Sequence, residues 1–390
     1  MTSVSVLGPS FNKKLRIGVL LSGRAQFSVY FGGAVVRWTH EVYRRLQDKI
    51  DVTVFGFPTD PATRYPLPHE TNAWWRVCLA LSRVPLVRRF EDHIWLWALR
   101  QRLFTYEILH IHNRPQWAPV LRFLGYRGRI VAHLHNDHLS HWSAQMLDAL
   151  TPHLDALIVC STYIGQECGR KSKALAEKTH LIFNGVDTQL FSPCEKIREP
   201  KTIFFAGQFI PQKGVLELIK AYSRVLRSHP DVKLVIAGAS HFGDERETPY
   251  IRQVRQHAES IEKDSGVKIQ FTGYLHHDRD LPTLFRRATV FTSPSLVQEA
   301  FGLVNAEAMA CATPVVGTNR GGVPEVLGDG GRTVNPENTL EYADVLDELL
   351  SNTEERIHLG RAGYERCCKM FDWSVIAERW LKLLNVVAHA

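Results

Sequence analysis

Two carboxylates eight positions apart, Glu299 and Glu307, bracket the run Glu299-Ala-Phe-Gly-Leu-Val-Asn-Ala-Glu307, soon after the turn Thr292-Ser-Pro-Ser295. That order implies a strand, a loop and then a helix beginning near Leu303. Backbone N–H groups at Phe301 and Gly302 would face a diphosphate at the positive end of that helix, with no Cβ on Gly302 to block its approach. Glu299 would lie in the loop and accept hydrogen bonds from sugar hydroxyls. Glu307, two turns into the helix, could grip the ribose hydroxyls, since a carboxylate accepts through two oxygens. Taken alone, the pair also fits an acid favoured by the helix dipole beside a solvated surface acid.

Further residues point the same way. Phe204-Phe-Ala-Gly-Gln-Phe-Ile-Pro-Gln-Lys-Gly214 reads as a strand ending in Gly207 and Gln208, then a loop that delivers Lys213 to the next helix. A lysine there would neutralise phosphate charge on a departing nucleotide; a solvated loop lysine is the plain alternative. Asn319-Arg-Gly-Gly-Val-Pro-Glu325 adds a Gly-Gly turn, with Pro324 near a helix start and Glu325 in its first turn, and reads equally as a capped turn. In the N-terminal half, Val131-Ala-His-Leu-His-Asn-Asp-His138 stands where a strand should end. With His141 this cluster has the residue types of a metal site, and an H-x-H at a strand end also opens some metal-dependent hydrolases, so a hydrolase built on His133 and His135 stands as an alternative. No orienting carboxylate set accompanies the histidines, so no metal is expected. His133 is read as a structural histidine pointing away from His135. His110-Ile-His-Asn-Arg-Pro115 ends the preceding strand and is expected to line a cleft, with Asn113, Arg114 and Asn136 as substrate-binding candidates. Asp280, in Asp278-Arg-Asp280, reads as a helix N-cap before Leu281-Pro282 rather than as a metal-binding pair.

The elements that must position these groups are short β-rich runs alternating with helical stretches: Arg16–Leu21, Val52–Gly56, Ile108–His112, Ile130–His135, Ala156–Cys160, then Thr202–Ala206, Lys233–Ala237, Lys268–Thr272, Thr289–Thr292 and Thr313–Gly317. Such alternation predicts an α/β fold with doubly wound parallel sheets. In these, ligands sit beyond the carboxyl ends of the strands. Between the two series, Phe183-Asn-Gly-Val-Asp187, Pro193 and the polar stretch Glu195–Lys201 mark a boundary. The expected division is a first domain over 1–190, a second over 191–370, and a last helical segment over 371–390.

In this order the motifs resemble the family-four retaining glycosyltransferases. The family's G-R-L-x-x-x-K-G, E-x7-E and G-G-x-P-E appear as Gly207–Gly214, Glu299–Glu307 and Gly321–Glu325. Asn184-Gly-Val-Asp187 resembles the family's interdomain turn. Arg16–Leu21 with Phe31-Gly-Gly33 resembles its first strand and glycine-rich loop, which makes Gly33 a donor-site candidate. The resemblance implies the GT-B fold, two Rossmann-like domains closing over a nucleotide diphosphate sugar, and transfer with retention and without a metal or other cofactor. It implies that His135 contacts the donor sugar near the reacting carbon, and that backbone groups near Gly238 and Tyr274 recognise the base. One departure stands out: Gln208 replaces the family's arginine, which leaves the phosphates to Lys213, helix N–H groups, Arg24 or Arg320. A GT-B scaffold that binds glycan or lipid without turnover is therefore a second alternative, and a sugar phosphorylase a third.

Composition bounds what remains. The chain has 390 residues, 45% hydrophobic and 22% charged, with a net charge of +7. Residues 1–190 hold 23 Lys and Arg against 14 Asp and Glu. No nucleic-acid motif accompanies this basic half, so an anionic acceptor or lipid is the expected partner. Residues 71–105 carry Trp74, Trp75, Trp95 and Trp97 with Arg76, Arg83, Arg88, Arg89, Arg100 and Arg102, which suits a lipid headgroup layer or tryptophans packed on the first sheet. Seven scattered cysteines, no h-region and no spanning segment give the expectation of a cytoplasmic protein, peripheral on the membrane if 71–105 meets lipid.

Overall fold

Apolar runs this short pair as parallel strands only when helices cover both faces of the sheet, and that is the arrangement found. The computed structural model describes residues 14–21, 26–28, 33–57, 59–70, 91–240 and 247–390. β1 (Leu15–Leu20), β2 (Ile50–Phe55), β3 (His69–Glu70), β4 (Ile108–His112), β5 (Arg129–Leu134), β6 (Ala156–Val159) and β7 (Thr179–Leu181) form one sheet in the order β3-β2-β1-β4-β5-β6-β7. β8 (Thr202–Ala206), β9 (Lys233–Ala237), β10 (Ile269–Gly273), β11 (Val290–Ser293), β12 (Val315–Thr318) and β13 (Gly331–Val334) form the second, in the order β10-β9-β8-β11-β12-β13. In each the order reverses beside the first strand, between β1 and β4 and between β8 and β11. That reversal opens a crevice at the carboxyl ends.

The ten expected strands are all present, shifted by two residues at most. The edge strands β3, β7 and β13 carry no apolar run of their own, being two to four residues long, and were not foreseen. The chain divides into two compact units, Met1–Ala132 with His153–Asp155 and Leu383–Ala390, and His133–Pro152 with Ala156–Lys382.

Strand alternation sends Phe204 and Phe205 to opposite faces of the second sheet. Phe205 joins Ile203, Ile236 and Val316 against Leu218 and Tyr222 of the Val215–Ser228 helix and Leu346 of the Thr339–Ser351 helix. Phe204 packs edge-on to Phe285, ring centroids 5.4 Å apart, beneath the Leu281–Arg287 helix. Each such buried side chain contributes roughly 2 kcal/mol by removal from water. These two layers fix the strand ends that carry the site.

In the last helix, Trp373–His389, the residues Trp373, Ile376, Ala377, Trp380 and Leu384 recur at helical spacing and are buried, while Leu383 is partly exposed. Before it, the interdomain turn is tied to the chain: Val186 N donates to Phe371 O at 2.8 Å. A Cβ on Gly185 would stand 2.2 Å from the Trp373 ring, so this position admits only glycine without repacking. Of the tryptophan and arginine segment, residues 71–90 lie outside the described residues. Trp95 is buried against Trp117, with centroids 5.2 Å apart, while Trp97 is half exposed with the Arg100 guanidinium 4.5 Å over its ring. No helix among the described residues is long and apolar enough to cross a membrane.

Candidate active site

The carboxyl ends of β8, β9 and β10 lie side by side, and the donor-site candidates line that edge. Gly207 N donates to Ala237 O at 3.1 Å, and Gly238 N donates to Gly273 O at 2.9 Å, which sets Gly207, Gln208, Gly238 and Tyr274 in one row. The loop after β8 turns at Gly214, φ 68°, where a Cβ would fall 1.9 Å from Pro294 O. Only glycine lets the β8 and β11 loops approach this closely.

That approach joins Lys213 to Glu299. The lysine ammonium donates to Glu299 Oε1 at 2.5 Å, and Ser295 Oγ donates to the same oxygen at 2.8 Å. The two side chains keep 30% and 21% of their surface exposed, enough for a ligand to reach them. The loop bearing Glu299 is seated on the Gly-Gly turn. Gly322 N donates to Glu299 O at 2.7 Å, and a Cβ on Gly321 would lie 2.2 Å from that same oxygen. The turn is therefore the floor on which Glu299 rests. Glu325 does stand in the first turn of the Val323–Leu327 helix, but its carboxylate reaches out to accept from Thr162 N at 2.7 Å and from the Thr162 hydroxyl.

Gly302 caps the Leu303–Ala310 helix in the left-handed conformation, φ 80°. The free amides of that first turn form the positive helix end. The Phe301 side chain is core, 2% exposed, between Phe183 and Phe371. Glu307 is buried, and its Oε1 lies 2.6 Å from His277 Nε2. Sequence reading passed over His277, Ser295 and Asn305, whose Oδ1 accepts from Ser293 Oγ at 2.6 Å. The available signal was position, since His277 and Ser295 follow closely on β10 and β11 and Asn305 stands on the Leu303–Ala310 helix between the two glutamates.

Several expectations are corrected. Arg320 is a brace and not a free phosphate ligand: it donates to Leu296 O, to Asn335 Oδ1 at 3.1 Å and to Glu337. Arg24 lies outside the described residues. Asp280 sits at the N-cap position but makes no capping bond, because its carboxylate turns back to His276 N at 2.9 Å and to Arg279. His133 does not point away from His135; residues two apart on a strand share a face, and the two rings stack with centroids 4.0 Å apart. His135 Nδ1 lies 2.8 Å from Asn184 Oδ1, and burial pushes its pKa down to about 4. With Nδ1–H donated to the amide, the neutral ring presents Nε2 as an acceptor.

In the first unit, His110 and His112 are fully buried and do not line a cleft: His110 Nδ1 meets the Tyr43 hydroxyl at 2.8 Å, and His112 Nε2 meets Thr39 Oγ1 at 3.2 Å. Asn113, just past β4, has φ 52°, and Arg114 follows it with its guanidinium on the Asn113 carbonyl at 3.2 Å. Gly33 caps the Ala34–Arg44 helix with open space where a Cβ would stand, while Phe31 and Gly32 lie outside the described residues. Asn136, in the second unit, has its Oδ1 shielded from solvent with no partner among the described residues.

Two doubly wound parallel sheets of this strand order in one chain are the GT-B architecture. Residues 188–366 match the family model described as glycosyl transferases group 1, and residues 31–190 match that of glycosyltransferase family 4. The chain belongs to the family-four glycosyltransferases. It is 30% identical to the α-maltose-1-phosphate synthase of Mycobacterium tuberculosis, over 92% of this chain and 96% of the relative. It is 28% identical to spore coat protein SA of Bacillus subtilis, over 76% of this chain and 81% of the relative. Among solved structures, Anabaena HepE in complex with UDP and glucose superposes with a TM-score of 0.71 at 20% identity, covering 95% of this chain and 99% of HepE. Membership makes this chain a glycosyltransferase and sets aside the hydrolase built on His133 and His135.

Proposed function

We propose that the protein transfers a hexose or N-acetylhexosamine from a nucleotide diphosphate sugar to a glycan or lipid-linked acceptor with retention and without a metal or cofactor, in the building of a cell-envelope polysaccharide or lipopolysaccharide. The observation that carries this reading is the meeting of Lys213 and Glu299 at the switch point between β8 and β11. A cation, a hydrogen-bond acceptor and a helix start within one loop cluster suit a pyrophosphate and the sugar attached to it. Lys213 and the amides after Gly302 would stabilise the leaving phosphates, Glu299 would fix the sugar hydroxyls, and His135 would orient the sugar through neutral Nε2. No motif places a carboxylate nucleophile, so retention is assigned to front-face displacement, in which a leaving phosphate oxygen takes the proton of the incoming hydroxyl. Catalysis of that kind is positioning and charge stabilisation.

Gln208, Gly33, Gly238 and Tyr274 complete the donor set, with Tyr274 and Gly238 toward the base. Residues 1–190 form the acceptor domain in this reading, through Asn113, Arg114 and Asn136, and residues 191–370 the donor domain. The basic N-terminal half favours an anionic acceptor, and a relative named for making a sugar phosphate is consistent with that. UDP is the favoured carrier, in keeping with the UDP held by HepE. A thermal-shift screen of UDP-, GDP- and ADP-sugars tests the reading, since bound donor raises the midpoint by linkage. Saturable binding of a nucleoside diphosphate with neither transfer nor donor hydrolysis would replace it with the non-catalytic scaffold.

A further inference from the structure

Glu307 is 96% buried by residue surface, being 4% exposed, yet only one of its oxygens has a partner among the described residues. Oε1 meets His277 Nε2 at 2.6 Å, and the other ring nitrogen of His277, Nδ1, meets Asp278 Oδ1 at 2.7 Å. A carboxylate oxygen lies against each ring nitrogen, so the imidazole is clamped between two acids. The Phe191 ring closes a third side, edge-on at 5.2 Å. His277 comes from the loop after β10 and Glu307 from the Leu303–Ala310 helix, so this contact ties two elements at the carboxyl edge of the sheet. It also fixes which oxygen of Glu307 is used. Oε2 is left shielded with no donor among the described residues. A buried acceptor without a donor is costly, and a ligand hydroxyl is the group that would relieve it.

We infer that His277 is a positioning residue that aims Glu307 Oε2 at a ribose hydroxyl, so that the site discriminates ribonucleotide from deoxyribonucleotide carriers. The inference rests on the donor reading above and adds to it the group that orients Glu307 and a consequence for specificity. A residue that only supported the fold would change affinity for both kinds of nucleotide alike. One that aims an acceptor at the ribose changes their ratio.

The test is calorimetric titration of the full chain with UDP, GDP and ADP and with their 2′-deoxy and 3′-deoxy counterparts, in wild type and in H277F, H277Q and E307A. For the carrier that binds most tightly, wild type should favour the ribonucleotide over one deoxy form by about 10- to 100-fold, the worth of a hydrogen bond to a charged group. H277F should bring that ratio below about threefold, because Oε2 is no longer aimed, and should lower the melting midpoint, because buried Oε1 then loses its donor as well. H277Q, whose amide can still donate to Oε1, should keep part of the preference. If H277F holds the wild-type ratio while E307A loses it, the role of His277 falls and the ribose contact stands. If E307A also holds the ratio, or no nucleoside diphosphate binds, the donor reading itself falls.

Discussion

Replacing Lys213 with Ala separates catalysis from folding. In the free protein the ammonium neutralises Glu299 at 2.5 Å, but both side chains remain partly exposed and Ser295 still donates to the same carboxylate oxygen in the variant. Water can solvate what the lysine leaves, so the cost to stability should stay within about 1 kcal/mol, as for other solvent-exposed ion pairs. A change of that size lowers the melting midpoint by roughly 2–4 °C at most. The cost to the reaction is larger, because the charge on the departing diphosphate loses its preorganised cation. Loss of one such stabiliser typically costs about 10²–10³ in kcat, or roughly 3–4 kcal/mol. The assay is initial-rate release of nucleoside diphosphate from the donor sugar that gives the strongest thermal shift, run beside a melting curve. Lys213→Arg keeps the charge with a different reach and should fall between wild type and Lys213→Ala. Turnover of Lys213→Ala within about threefold of wild type, with normal folding, would refute the placement of Lys213 at the phosphates.

Glu299→Gln keeps the shape of the side chain and removes its charge; kcat should fall by about 10²-fold, measured in the same assay. Gly322→Ala would set a Cβ 2.4 Å from Ala300 O and displace the loop under Glu299, so activity should drop by at least about tenfold while urea unfolding shows a loss of about 1–3 kcal/mol. Burial lowers the pKa of His135 from 6.5 to about 4, so the folded state resists a proton that the unfolded chain accepts. The stability from this group is present above pH 6.5 and is lost as pH falls toward 4. The loss amounts to roughly 3 kcal/mol. His135→Gln should flatten the decline in unfolding free energy, measured by urea titration, between neutral and acid pH by about that amount, and an unaltered pH profile would contradict the assignment.

The doubly wound architecture was legible because β-rich runs and helical stretches alternate along the whole chain, and β4, β8 and β9 match the sequence reading residue for residue. The Lys213 and Glu299 loops were legible because both follow strands that flank a switch point. What escaped the sequence is mostly contact at long range. Nothing in Val323-Pro-Glu325 says that its acid will meet Thr162, or that Gly185 must clear the ring of Trp373. Trp95 and Trp97 are of one type and two residues apart, yet about 200° around a helix separates a core position from a half-exposed one. The stacking of His133 on His135 follows from strand periodicity, which sets residues two apart on one face. His277 was hidden by the acids around it, which drew attention to Asp278 and Asp280 instead.

A crystal structure with a nucleoside diphosphate bound would show whether Lys213 belongs to the phosphate site. The two phosphates should lie beside the Lys213 ammonium and the amides that follow Gly302, within hydrogen-bond distance of both. Phosphates seated elsewhere, with Lys213 still closed on Glu299, would contradict that placement.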